Sequence, residues 1–88
     1  MISTKTTVTS TPVKIVSKAI NETRQVHVTP EGNDCYLGGA DLTTANGLKI
    51  QNNTTVIILV PPNEELWAVV SSGTHSVGTL TSYAEIQA

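Results

Sequence analysis

The stretch Gln25-Val26-His27-Val28-Thr29 alternates polar and apolar side chains with a period of two. No segment of the chain keeps an apolar stripe at helical spacing for three turns. Together these patterns exclude a helical core and require sheets with one buried face. Further β-branched runs read as strands: VKIVSKAI after Pro12, CYLGG, LKI, TTVIILV, LWAVVSS and SVGTLTSYAEI. TTVIILV is apolar on both faces, so it is expected to be the central, most buried strand. PEGND and PPNEE read as turns that break strands, and SGTH as a hairpin-like turn containing Gly73. The fold class that follows is all-β, a small antiparallel β-sandwich or barrel with about six to eight short strands.

Residues 1–11, MISTKTTVTST, are dominated by Thr and Ser, with Ile2 and Val8 as the apolar exceptions after Met1. They are expected to form an extended N-terminal arm that orders against a neighbouring surface, and residues 12–88 a single β-domain. Ile2 and Val8 are accordingly candidate interface residues.

Size sharpens the question of what holds such a domain together. With 88 residues, a chain buries only about 60% of the surface it exposes when unfolded. A single cysteine, Cys35, rules out an intrachain disulfide, and no Cys/His spacing resembles a structural zinc site. Assembly with other copies or onto a larger scaffold is the remaining common source of stability.

The formal net charge is −2, and Lys5, Lys14, Lys18, Arg24 and Lys49 are scattered, so no basic footprint for nucleic acid is present. The longest apolar run, VIILV, is far shorter than the roughly 20 residues of a bilayer span. The start lacks the order of a signal peptide, so the chain is expected to be made in a cytosol, with no membrane partner. The Asn-x-Thr sequences at Asn21, Asn52 and Asn53 are then coincidences of a Thr-rich chain.

Candidate chemistry is thin. Gly38-Gly39-Ala40-Asp41 could form an anion nest, but a phosphate loop ends in a lysine with a helix behind it, and neither is present. The better reading is a structural turn: Gly38, Gly39 and Gly47 permit close backbone approach, and Asp41 and Thr43 satisfy local N–H groups. His27, His75, Asp34, Asp41, Glu64 and Glu65 form no recognisable catalytic constellation in the sequence, and no cofactor, metal or enzymatic activity is expected. Cys35 beside Asp34 reads as a small buried hydrophobe. Trp67 alternates with Leu66 and Ala68 and so points away from the face they occupy; it is either an interface anchor or a lid on the core, and Tyr36 and Tyr83 share that choice.

The succession YLGGADLTTANGLKI, then TTVIILV, then ELWAVVSSGTHSVGTL resembles a family of small β-rich virion proteins of tailed bacteriophages. The resemblance is carried by Tyr36, Gly38, Gly39, Asp41, Leu42, Thr43 and Gly47, then by Leu66, Trp67, Ala68, Val69, Ser72, Gly73 and Thr74, and covers roughly residues 24–80. It implies a structural virion protein, a head decoration protein that binds the major capsid protein on the outside of the capsid. Homo-oligomeric clusters such as trimers, seated where capsid subunits meet, would be its working form. A longer arm before Pro12 and the tail TSYAEIQA depart from the family pattern. The alternative within the same resemblance is a tail or host-recognition module that binds a glycan or receptor through an aromatic platform around Trp67 or Tyr83.

Overall fold

The computed structural model describes residues 1–83. It is all-β, with eight strands in two antiparallel four-stranded sheets. The strands are β1 (Ile2–Val8), β2 (Val13–Val16), β3 (Arg24–Glu31), β4 (Cys35–Gly38), β5 (Leu48–Ile50), β6 (Val56–Val60), β7 (Leu66–Val70) and β8 (His75–Tyr83). One sheet has the order β1-β8-β3-β6 and the other β2-β7-β4-β5. The strands pair as nested partners, β1 with β8, β2 with β7, β3 with β6 and β4 with β5, and only β4 and β5 are both consecutive in sequence and hydrogen-bonded. That nesting and the two sheet orders are the topology of a jelly roll.

The core lies between the sheets. Val26 and Val28 of β3, Val77 of β8, Cys35 and Leu37 of β4, and Ala68 and Val70 of β7 form its centre, with Val8, Val16, Ile50, Val60 and Leu66 around them. Period two in QVHVT works as expected: Val26 and Val28 are fully buried, while Gln25, His27 and Thr29 face outward.

Four expectations are corrected. Residues 2–8 are not an unpacked arm; they pair along β8 from Ile2 opposite Thr81 to Val8 opposite His75. Threonine suits a pleated, half-buried strand, and Val8 closes the core with no exposed surface, which removes it from the candidate interface. TTVIILV is not central: β6 is hydrogen-bonded to β3 alone and forms the edge of its sheet, with Ile57 and Leu59 56% and 65% exposed. PEGND does not turn at its start, because β3 runs on through Pro30 and Glu31 beside β8 and the turn falls at Gly32, whose φ is 99°. Proline is tolerated there because β6 has already ended, and the free side of Pro30 is met instead by Asn53, whose N–H donates to its carbonyl. Finally, SGTH is not a hairpin: residues 71–74 carry the chain from β7 in one sheet to β8 in the other.

Arg24 fastens one end of the sandwich. It is 2% exposed, and its guanidinium donates to the carbonyls of Ser17, Pro61 and Glu64, joining the β2–β3 and β6–β7 connections to β3. A buried charge is tolerable only with such partners.

Candidate functional site

The glycine corner is built to be closed. Between β4 and β5, the Leu42 N–H donates to the Gly39 carbonyl at 3.1 Å and the Gly47 N–H to the Thr43 carbonyl at 3.0 Å. Thr43 donates its own N–H to Asn46 Oδ1 at 2.7 Å, its hydroxyl accepts from the N–H groups of Ala45 and Asn46, and Asn46 Nδ2 donates to the Asp41 carbonyl. The backbone N–H groups of Leu42, Thr43, Ala45, Asn46 and Gly47 are therefore committed within the loop, which holds it as a turn. Leu42 is only 4% exposed, and it is packed where a side chain on Gly47 would stand: a Cβ there would lie 2.6 Å from Leu42 Cδ1 and 2.8 Å from Tyr36 Cβ. Gly38, at the end of β4, likewise leaves room for Leu42. The loop thus folds back on the outer face of its sheet. The sequence had shown the glycines, but not that they make space for Leu42.

The histidines are separated. His75 lies against Gly32 and Gly73, both at positive φ, where a Cβ would come within 2.9 Å and 3.0 Å of its ring nitrogens. His27 stands opposite Leu80, five residues farther along β8, a distance of roughly 17 Å. The Asp34 carboxylate accepts from the Asn52 N–H at 2.7 Å and lies 3.7 Å from Lys49 Nζ, which makes it a turn-holding group. Cys35 has no exposed surface, and burial, aided by the neighbouring Asp34 charge, pushes its thiol up to about 11. A thiol held protonated in this way is a poor nucleophile. Among the described residues no group of three or more His, Cys, Asp or Glu side chains is placed to hold a metal ion.

Two surfaces remain. On the outer face of the β2-β7-β4-β5 sheet, Trp67 is half-buried between Lys14 and Gly38 in register. Its Nε1–H donates to Glu65 Oε1 at 3.2 Å, and Lys14 Nζ lies 3.2 Å from Glu65 Oε2. The indole hydrogen bond first, and Lys14 second, hold the Glu65 carboxyl below its ordinary value. Glu65 thus bridges the indole of Trp67 to Lys14 on the outer face of the sheet. Ile2 is 51% exposed on β1, in the other sheet, so it and Trp67 do not form one patch. Tyr83 closes β8 opposite Arg24, and its side chain lies outside the described part of the structure.

The second surface is a groove of about 350 Å³ on the outer face of the β1-β8-β3-β6 sheet. Gly78 forms its floor between Lys5 and Thr29, and the next row across the strands is Ser3, Leu80 and His27. His27 Nδ1 is buried here without a hydrogen-bond partner, while Thr29 and Thr55 share a 2.6 Å hydroxyl hydrogen bond along one wall. Sequence reasoning missed this groove because it depends on which strands become neighbours: Gly78 leaves a gap only when bulky residues of β1 and β3 flank it.

No family model, no curated protein and no solved structure matches the chain.

Proposed function

We propose that the protein is a structural component of a tailed-bacteriophage virion, a decoration protein that seats on the outer capsid surface and ties adjoining major capsid protein subunits together. The observation that carries this reading is the topology: sheet orders β1-β8-β3-β6 and β2-β7-β4-β5, an arrangement that recurs in viral capsid and lectin domains. It is a fold-level analogy, and it agrees in direction with the resemblance carried by residues 24–80. The remaining support is physical. A domain this small gains stability when a scaffold binds only its folded form, and Trp67, half-buried and hydrogen-bonded to Glu65, is the kind of side chain that anchors protein interfaces.

Mixing the purified protein with capsids that lack it, followed by cryo-electron microscopy, tests the reading. Ordered density at subunit junctions and a higher temperature of capsid disruption are the expected results. Bare capsids at saturating protein concentration would overturn it. A host-recognition module is the second reading, favoured by the groove above Gly78 with Lys5, His27 and Thr29 at its rim. Glycan binding by the protein, lost in Gly78→Val with the fold intact, would select that reading instead.

A further inference from the structure

Among the described residues the two sheets have four edge strands, β1, β6, β2 and β5. Each edge exposes unpaired backbone groups on which another chain can add a strand, and proteins commonly guard such edges with lysine, irregular register or shortness. Three of these edges are guarded in those ways. Lys5 sits in β1, Lys14 sits in β2 beside a register shift between Lys14 and Val16, and β5 is three residues long and contains Lys49. The fourth edge, β6, reads Val-Ile-Ile-Leu-Val, with no charge, no proline and no bulge, and it exposes Ile57 and Leu59.

We infer that β6 is the edge through which two copies of this chain associate, as an antiparallel β6–β6 pair about a twofold axis at Ile58. The inference does not rest on the virion reading. Charge and the ends of the strand select a second copy as the occupant. In this register Val56 meets the second copy's Val60, Ile57 meets its Leu59 and Ile58 meets its own counterpart, so each apolar side chain faces another. Pro61, which has no N–H, falls opposite Thr55 and stops the ladder just beyond the apolar run at each end. The antiparallel register keeps the acidic Glu64 ends of the two copies apart, at opposite ends of the pair. A parallel pairing would set the two acidic ends side by side, and addition onto β1 would press Lys5 against the apolar strand. Two four-stranded sheets would become one continuous sheet of eight, with Ile57 and Leu59 of both copies packed side by side in one apolar cluster on its outer face.

Sedimentation equilibrium over roughly 1 µM to 1 mM protein is expected to show a monomer–dimer equilibrium. The double substitution Ile57→Lys with Leu59→Lys places like charges across the pair, and it is expected to weaken the dimer by about 100-fold or more. Circular dichroism should be unchanged, because both side chains are already exposed in the monomer. The register has its own test that needs no charge. Oxidising a mixture of Ile57→Cys and Leu59→Cys proteins should give the mixed disulfide dimer in preference to either self-paired dimer, since Cys35 is buried and takes no part. A monomer throughout the range, a dimer indifferent to the lysines, or self-paired disulfides forming as readily as mixed ones would each overturn the inference. A monomer that loses capsid binding in the lysine variant would also overturn it, and would assign the edge to a capsid subunit.

Discussion

At the residue scale, Arg24 and Cys35 show the two ways in which this small core handles groups that would rather be in water. Arg24 is buried with three backbone carbonyls as partners, so removing its guanidinium leaves those carbonyls to find new ones. Arg24→Met keeps the packing volume and loses the hydrogen bonds, and should lower the unfolding free energy by about 3 kcal/mol in urea titrations. Cys35 is buried as a neutral thiol, with its pKa raised from 9.0 to about 11. For a raised pKa the stabilising form is the protonated one. The contribution is complete below about pH 9, where folded and unfolded chains both keep the proton, and is lost as the pH climbs towards 11, where the unfolded chain alone has released it. Urea midpoints should therefore fall across that window in the wild type, and fall less steeply in Cys35→Ala at the same ionic strength. The burial of Cys35 was legible in the sequence from its place in a short strand, and its low reactivity from the neighbouring Asp34. The clamp made by Arg24 was not, because its partners lie 7, 37 and 40 positions away.

At the scale of elements, β1 decides what the N-terminal segment is for. A free arm could be deleted without harm to the domain, whereas a strand paired along nearly the whole of β8 and ending in the core residue Val8 could not. Removing residues 1–8 is expected to abolish the cooperative unfolding transition, and Val8→Ala alone to cost about 2 kcal/mol. A truncated protein with an unchanged midpoint would return the segment to an arm. The period-two pattern of β3 and the breaks around Gly32 and Asn63 could be read directly, since they depend on local geometry; both residues have positive φ. The edge position of β6 could not be read. An apolar run says that a strand prefers to be covered, but the cover can come from the same chain or from another one.

At the scale of the whole molecule, the nesting of β1 with β8 and β2 with β7 makes the N-terminal and C-terminal strands neighbours. Nearly the whole chain must be looped out before that first pairing forms, and only the β4–β5 hairpin is local. Folding is therefore expected to take milliseconds to seconds, as for other β-proteins dominated by distant pairings. Stopped-flow fluorescence of Trp67 provides the measurement, and relaxation in microseconds would contradict this account. The same nesting leaves four edges in a very small protein, which is why its assembly state and the fate of β6 belong together.

The alternation of side chains, the absence of a helical stripe and the placement of Gly, Pro and Asn made the chain an all-β domain before any contact was known. These are near-neighbour effects, set by backbone sterics and by which face of a strand is wetted. The tertiary structure alone decided that the Thr-rich start joins a sheet, that the most apolar strand lies at an edge, that Leu42 covers the glycine corner and that Gly78 opens a groove. Each of these depends on which distant strands hydrogen-bond to one another. Strands of similar pattern compete nearly equally for the same partners, so the choice among them rests on the packing of the whole sandwich.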